Sequence, residues 1–470
     1  MSRESSLIKN SIVLAVGTFF PKFVAIITLP LLTGYLTQEE YGYYDLITTL
    51  VSLLLPVATL QIQSAAFRFL IDCRGNKEKS SSIVNNIFIV TIPITLIVLV
   101  PVFIGISGIS VANRIAVCIY YFVDIIYLTL QQIARGLSYN KAYSIATCVV
   151  SILNLVLLAI LILGLHSGLF GVLLSLIISN SAACIFLMWW IRNDVEINIK
   201  KYASGKQIKT MLAYSWPMVP NNLSNWVLSA SDRLVITAVL GVEANAVYAV
   251  AGKIPNLLAT LQGTFTLAWQ ENASISANDS DAAEYYSSMF ATLSRFLCGA
   301  LGCLIAATPI IFKILISGDY EEAYYQMPIL FIGILFSCLA AFLGGIYVAK
   351  KNITSVGVTT VCTASINLLI DILFIRRIGI YAGSISTLVA YFVLMLFRMI
   401  DTKKRFGLSY KTKEFTLLIV YVTIISAICF QRNLIGNVVN CIIAFPMFFL
   451  LNKDIVKPIY LKLASSRKNK

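Results

Sequence analysis

Charged side chains lie inside long apolar stretches of this 470-residue chain, where burial penalises a charge. An ionisable side chain surrounded by hydrocarbon costs at least about 2.5 kcal/mol, so it is expected to face water or a partner. Four of these residues are cations that could bind an anionic ligand: Lys22, Arg233, Lys253 and Arg295. Two are carboxylates that could bind a proton or a cation: Asp124 and Asp232. For Asp124, a structural role as a buried carboxylate is the alternative.

A polar stripe accompanies these charges between residues 221 and 231. It contains three Asn and three Ser residues beside Trp226. The amides and hydroxyls, Asn225 among them, could hydrogen-bond the hydroxyls of a sugar while the Trp226 indole stacks on its face. The same side chains could equally hold two helices together within a membrane.

Fourteen apolar stretches carry these residues and fill nearly the whole chain. Most are long enough, at about 20 residues, to cross a bilayer as a helix. One runs over residues 43–67, and the last two run over 415–431 and 436–452. Barrel strands would alternate in polarity, so the continuous apolar runs predict an all-α polytopic membrane protein of about fourteen transmembrane helices. A count of twelve would require leaving out the last two stretches.

The distribution of Lys and Arg predicts that both termini lie in the cytoplasm. With the amino terminus inside, 27 of the 36 Lys and Arg residues fall in cytoplasmic segments and 4 in outer loops. Cytoplasmic loops of membrane proteins are enriched in these residues. Topology and attraction to anionic lipid therefore explain the formal net charge of +14, and the scatter of the charges over short loops argues against nucleic-acid binding.

A weak repeat divides the chain into two halves. Residues 36–46 and 240–250 share Leu, Glu and Tyr at matching places, and each segment forms an outer hairpin of its half. Six spans in each half would give two bundles that enter the membrane in the same direction. The predicted domains are residues 1–200 and 201–405, one six-helix bundle each, followed by two additional helices and a basic tail over 406–470.

Three of the four cations within the predicted spans belong to the repeated hairpins. If these hairpins face each other, Lys22, Arg233 and Lys253 line a cationic cavity between the halves that suits an anionic cargo. Local pairing, or extension of the side chain to the membrane surface, is the alternative for each of them and for Arg295.

Four segments carry a resemblance to a known family. They are Leu7–Thr33 with Phe20-Pro21-Lys22, Glu40–Tyr44, Ser231–Arg233 and Tyr248–Leu258. The chain resembles the Wzx-type polysaccharide biosynthesis or O-antigen flippases of the multidrug/oligosaccharidyl-lipid/polysaccharide exporter superfamily. The last segment is also similar to the lipid II flippases, in which a cation precedes a Pro in the same span.

The resemblance implies a fold, a cargo and a location. The fold is two six-helix bundles around a central cavity, with two extra carboxy-terminal helices. The activity is that of a flippase, which moves an undecaprenyl-pyrophosphate-linked oligosaccharide repeat unit across the bacterial inner membrane by alternating access during lipopolysaccharide synthesis. The implied partners are this lipid-linked glycan, membrane lipid, other polysaccharide assembly proteins and a coupling ion, H⁺ or Na⁺.

Two other functions remain open, an ion-coupled multidrug exporter and a membrane polysaccharide polymerase. An exporter of cationic drugs is expected to have mainly carboxylates in its spans, whereas the repeated hairpins here favour cations. A polymerase needs acids or bases positioned in an aqueous loop, and the one His of the chain, His166, lies in a very short outer loop. The sequence contains no Cys/His cluster and no Gly-rich phosphate loop, so we expect a transporter rather than an enzyme, without metal or cofactor.

Overall fold

A computed structural model describes residues 3–454, with their side chains except at 3–15, 221, 224, 225, 228, 229, 261, 264, 267, 353 and 354. Over this range the chain forms seventeen α-helices and no strand, which confirms the all-α class. A π-helical turn continues α6 and a 3-10 turn follows α11. The helices are α1 (Arg3–Tyr35), α2 (Gln38–Thr59), α3 (Ile62–Ile71), α4 (Lys77–Gly105), α5 (Val111–Gly136), α6 (Asn140–Leu158), α7 (Gly168–Ile191), α8 (Ile199–Tyr202), α9 (Gly205–Ser215), α10 (Met218–Leu240), α11 (Val242–Ile275), α12 (Ala282–Leu315), α13 (Glu321–Ala349), α14 (Ile353–Ile378), α15 (Tyr381–Phe406), α16 (Thr412–Phe430) and α17 (Leu434–Leu451).

Counted over the residues that the structure describes, twelve helices are long and apolar enough to cross a membrane. Both helices of the last hairpin, α16 and α17, are among the twelve. The two long helices outside this set are α10 and α11, which carry the polar stripe, Asp232, Arg233 and Lys253. Within the described residues, the difference from the predicted fourteen therefore lies at α10 and α11 in the centre of the chain and not at its carboxy terminus.

The structure divides into two compact units, Met1–Ala230 and Ser231–Lys470. In the first unit, one apolar cluster joins α3 to α5 through fully buried residues such as Ile62, Leu70 and Ile133. A second cluster joins α2, α5 and α7 around Ile47 and Leu173. Each cluster buries apolar side chains from several helices, so the helices of this unit hold one another in place.

The second unit is organised around α13, the most buried of the candidate membrane spans in the described chain. This helix packs along α11 on one side and α15 on another. Its Phe342 ring stacks on Trp269 of α11, with ring centroids 4.1 Å apart, and the Trp269 indole donates to the Phe342 carbonyl. The added hairpin α16–α17 packs against α12.

The apolar stretch 43–67 does not form one unbroken helix. α2 ends at Thr59 and α3 begins at Ile62, and the two residues between them, Leu60 and Gln61, have φ angles of 46° and 57°. These left-handed conformations are unfavourable for residues other than glycine, so surrounding contacts must hold them. A break of this kind inside a membrane is tolerated where the backbone is buried in protein or lines a cavity.

Two consecutive Asn residues on α4 hold the segment that leads from α7 towards α10. The Asn85 side chain donates to the Glu196 carbonyl and accepts from the Asn198 amide, at 2.7 and 2.9 Å. The Asn86 side chain donates to the Tyr202 carbonyl and accepts from the Ser204 amide, both at 2.8 Å. Both side chains are fully buried. The segment is therefore an ordered part of the first unit.

Candidate functional site

The second unit contains a buried group of oxygen atoms around Asp232 of α10. The Tyr248 hydroxyl on α11 donates to Asp232 Oδ2 at 2.8 Å, and the Thr387 hydroxyl on α15 donates to the same oxygen at 2.7 Å. Asp232 is 6% exposed. Three helices therefore supply groups to one carboxylate, and the two hydroxyl donors offset part of the cost of burying it.

A second carboxylate, Asp371 on α14, lies against this group. It is 1% exposed, and its charge interacts with that of Asp232. The Ser386 hydroxyl lies near this carboxylate but donates to the Gly383 carbonyl, so among the described residues neither Asp371 oxygen has a donor in hydrogen-bonding geometry. Two neighbouring carboxylates in a buried site do not both ionise readily, because like charges repel and burial disfavours the charged form. A shared proton or a bound cation would therefore stabilise this carboxylate pair.

Asn367, one turn before Asp371 on α14, faces Asp232 with its amide. With the amide turned one way, its nitrogen donates to Asp232 Oδ1 at 2.9 Å and its oxygen accepts from the Ser386 hydroxyl at 3.1 Å. Turned the other way, the nitrogen donates to the Ser386 hydroxyl and the amide oxygen faces Asp232. In the second orientation the amide oxygen faces only acceptors, so this orientation would be favourable only with a cation bound among the carboxylate, amide and hydroxyl oxygens, which are the ligands that hard cations take in proteins. We call Asp232, Asn367, Asp371 and Thr387 the oxygen cluster.

In the first unit, Asp124 of α5 has a different environment. The Asn180 amide on α7 donates to Asp124 Oδ1 at 2.8 Å, and Asn180 is 4% exposed. This contact joins two helices that pack closely along their length. The surroundings fit the structural alternative for Asp124, and its role in ion coupling stays a prediction.

A polar cavity of about 390 Å³ also lies in the first unit. Trp226 forms part of its wall, and the indole Nε1 donates to Ser52 Oγ at 2.9 Å and to the Thr49 carbonyl at 3.3 Å. These bonds fix the ring within the cavity wall. The residues that line this polar cavity are Ser52, Leu55, Pro56, Gln61, Gln63, Ser64, Leu128, Gln132, Asn222 and Trp226. Asn225, which the sequence predicts to hydrogen-bond a sugar, is not among the described side chains.

The four predicted cations have different surroundings. Lys22 is exposed on α1, while Arg233 and Lys253 are half-buried on α10 and α11. Arg295 on α12 lies 3.7 Å from Glu414 of α16 and 3.5 Å from Asp454, which follows α17. These ion pairs correspond to the local-pairing alternative for Arg295. Its role in substrate binding, like that of the other three cations, stays a prediction.

Sequence reasoning missed most partners in the oxygen cluster. The charge pattern indicates Asp232, whereas Asp371, Asn367 and Thr387 are not among the predicted site residues. A signal was available, because Asn367 and Asp371 are separated by four residues and so share one face of an apolar helix. No comparable local signal marks the partner of this face, since Asp232 lies on a helix distant in sequence.

The chain matches the family model described as polysaccharide biosynthesis protein over residues 7–270, which is more than half of its length. It belongs to the polysaccharide biosynthesis protein family. The matched region of this family member includes Lys22, Asp124, Trp226, Asp232 and Lys253 and ends before α14. No curated protein matches the chain in sequence.

Solved structures share the fold of this polysaccharide biosynthesis family member. The lipid II flippase MurJ, in an inward closed conformation, has a TM-score of 0.68 and 14% identity, covering 96% of this chain and 100% of that one. An inward-facing multidrug resistance MATE family transporter of the MOP superfamily has a TM-score of 0.67 and 14% identity, covering 84% and 98%. A MOP superfamily transporter from Pyrococcus furiosus has a TM-score of 0.55 and 14% identity, covering 85% and 96%. The link to polysaccharide biosynthesis implied by the sequence resemblance is confirmed by the family match, whereas the Wzx type stays a prediction.

Proposed function

We propose that this polysaccharide biosynthesis family member is an ion-coupled flippase. Its cargo is an undecaprenyl-pyrophosphate-linked oligosaccharide repeat unit, which it moves across the bacterial inner membrane by alternating access. The family supplies the link to polysaccharide synthesis, and the fold is shared with a lipid II flippase. The product would feed the assembly of a surface polysaccharide such as O-antigen.

The oxygen cluster is the observation that carries the proposal. Two carboxylates buried among membrane helices are costly unless a proton or cation joins them. Binding of H⁺ or Na⁺ at Asp232 and Asp371 would lower the charge and favour one arrangement of α10, α14 and α15 over another. A ligand that binds two conformations unequally shifts their populations, and this is how an ion gradient can drive a transport cycle.

The polar cavity favours a glycan over a cationic drug as cargo. Its described lining offers amides, hydroxyls and an indole, and it contains no carboxylate. A cationic drug would be expected to pair with a carboxylate, whereas neutral sugar hydroxyls pair with neutral amides and hydroxyls. The multidrug exporter is therefore the weaker alternative, and a polymerase would need catalytic groups that this cavity lacks.

We assign the pyrophosphate of the cargo to Lys22, Arg233 and Lys253. A pyrophosphate carries several negative charges, and Lys and Arg are the usual partners of phosphate oxygens. The polyprenyl tail would remain in lipid while the headgroup follows a polar route, because transfer of charged groups into hydrocarbon is prohibitive. Trp226, with Asn225 as predicted from the sequence, would contact the sugars.

Deletion of the gene tests the proposal. We expect a lipid-linked glycan to accumulate on the inner leaflet, and its composition identifies the cargo. Re-expression of the wild-type chain should clear the accumulation, and a chain with Asp371→Asn at equal protein level should not. A deletion strain with normal surface polysaccharide and altered drug sensitivity would favour the exporter instead.

Both termini of the flippase are proposed to be cytoplasmic. A Lys404→Cys variant should then resist an impermeant thiol reagent added to intact cells, provided that the ten native Cys residues are first replaced. An Asp319→Cys variant, in a predicted outer loop, should react in the same cells. Labelling of Lys404→Cys from outside would overturn this topology.

A further inference from the structure

The break between α2 and α3 places unusual backbone beside the polar cavity. Leu60 and Gln61 adopt left-handed conformations in succession, and Gln61, Gln63 and Ser64 all line the cavity. The carbonyl of Leu60, freed by the break, accepts a hydrogen bond from the Ser215 hydroxyl at 3.0 Å. Because side chains replace the missing helical hydrogen bonds, the break is a stabilised part of the first unit.

The side chain of Gln61 is held by its neighbours across the break. Its Oε1 accepts from Gln63 Nε2 at 3.3 Å and from Ser64 Oγ at 3.0 Å. Both glutamines are 5% exposed. These contacts use the carbonyl oxygen of Gln61 and the amide nitrogen of Gln63, so the rotation of both amides is restricted.

The carbonyl oxygen of Gln63 is a buried acceptor with no donor among the described residues. Buried acceptors normally have hydrogen-bond partners, and Gln63 belongs to the cavity wall, so a ligand in the cavity could supply the missing donor once the packed amide opens towards it. The nearby indole of Trp226 adds a fixed aromatic surface. Together these features describe a site for a ligand that has both N–H or O–H donors and an apolar face.

The cavity excludes strongly charged ligands. None of the described residues that line it is charged, so neither a phosphate nor an organic cation would find a counter-ion there. Its volume of about 390 Å³ lies within the range of roughly 300–1,000 Å³ that small-molecule sites occupy. A sugar ring has the required combination of hydroxyl donors, an apolar face and no net charge.

We propose that the α2–α3 break is a subsite for one uncharged sugar of the lipid-linked cargo, with Gln63 Oε1 as the specificity-determining acceptor. The sugar would donate a hydroxyl or amide hydrogen to Gln63 Oε1 and lie beside Trp226. Gln61 is a positioning residue, because it holds the Gln63 amide. The proposal rests on the proposed function, since it assigns part of the same cargo.

Binding of two synthetic lipids to the full chain in nanodiscs tests the subsite. One probe is undecaprenyl pyrophosphate, and the other is the same lipid with one N-acetylhexosamine, which offers hydroxyl and amide donors. The wild-type chain should bind the sugar-bearing lipid more tightly. Gln63→Met removes the acceptor at similar side-chain length and should lower affinity for this lipid about five- to tenfold, with unchanged affinity for the bare lipid.

Gln262→Met provides the matched control, because Gln262 is a similarly buried glutamine in the second unit, with the Cys338 carbonyl as a partner. It should leave the affinity difference between the two lipids unchanged. The thermal midpoint of Gln63→Met should fall no further than that of the control, which separates a binding role from a folding role.

Two results would overturn the subsite. In one, the wild-type chain binds both lipids equally; in the other, Gln63→Met retains the full preference for the sugar-bearing lipid. Failure of the proposed function has a different signature, since the wild-type chain would then bind neither lipid. The two failures are therefore distinguishable in one experiment.

Discussion

The two units of this protein contain polar sites of opposite chemical character. The polar cavity of the first unit is neutral, with amides, hydroxyls and an indole in its described wall. The oxygen cluster of the second unit contains two carboxylates, one of which has both oxygens without donors in the described structure. A neutral wall suits a neutral hydroxylated ligand, whereas paired carboxylates suit a proton or a cation. Under the proposed function, recognition of the cargo's sugar and use of the ion gradient are thus assigned to different units.

This difference would have a mechanistic advantage. Hydrogen bonds between neutral partners contribute only about 0.5–1.5 kcal/mol each, so a sugar held by them can be released on the far side. A buried carboxylate pair responds strongly to the arrival or loss of one positive charge. Separate sites allow weak binding of the cargo to coexist with strong dependence on the ion.

Neutralisation of the oxygen cluster should have the largest effect. Asp371→Asn and Asp232→Asn each remove a charge that the ion would bind, so export of the glycan should fall to the level of the deletion strain. The measurement is the amount of lipid-linked glycan on the inner leaflet at matched protein level. Asp124→Asn is the comparison, and it should retain most export because an amide can still pair with Asn180. Equal loss in all three variants would remove the distinction between the units.

Removal of a predicted pyrophosphate-binding cation should have the next largest effect. Lys253→Ala should abolish most export without loss of protein, because it removes a counter-charge for the cargo. Lys253→Arg keeps the charge and should retain partial export. If alanine variants of Lys22, Arg233 and Lys253 all export normally, the proposal that these cations bind the pyrophosphate is wrong.

Replacement of the indole in the polar cavity should have an intermediate effect. Trp226→Phe keeps an aromatic face and loses the hydrogen bonds to Ser52 and Thr49, so the ring is less well fixed. We expect the affinity for a glycosylated lipid to fall about two- to tenfold, and further in Trp226→Ala. Affinity for the lipid without sugar should not change, and an equal loss for both lipids would indicate a purely structural Trp226.

Loosening of the segment that Asn85 and Asn86 hold should have the smallest effect on the ion and sugar preferences that distinguish the two units. Asn86→Ala leaves the Tyr202 carbonyl and the Ser204 amide without partners, at a cost of about 1–3 kcal/mol for a buried group. The thermal midpoint in detergent should therefore fall, while ion and sugar preferences stay the same. Asn272→Ala, at an exposed position, is the control and should change neither. A selective loss of sugar or ion preference in Asn86→Ala would contradict this interpretation.

The sequence predicted the helical membrane architecture because the bilayer leaves few alternatives. A continuous apolar stretch must satisfy its own backbone, so α4, α7 and α13 could be expected as helices from composition alone. Trp226 could be selected as well, because an indole within a run of Asn and Ser residues is unusual in an apolar chain.

The internal geometry of the sites could not be predicted in the same way. The break at Leu60–Gln61 contains neither Gly nor Pro, so no local residue type indicates left-handed backbone there. The pairing of Asp232 with Asp371 depends on how α10 and α14 pack, and a single sequence carries no information on that contact. Local chemistry identified the candidates, while tertiary packing determined their partners.

The central claim is that the ion and the sugar are bound in different units. It is tested most directly by measuring two properties in each of two variants. Asp371→Asn and Gln63→Met are each reconstituted in proteoliposomes and nanodiscs. Flipping of the glycosylated lipid is measured with and without a Na⁺ or pH gradient, and its affinity is measured against the bare lipid. We predict that Asp371→Asn loses the gradient response and keeps the sugar preference, whereas Gln63→Met keeps the gradient response and loses the sugar preference. Equal loss of both properties in both variants would contradict the account.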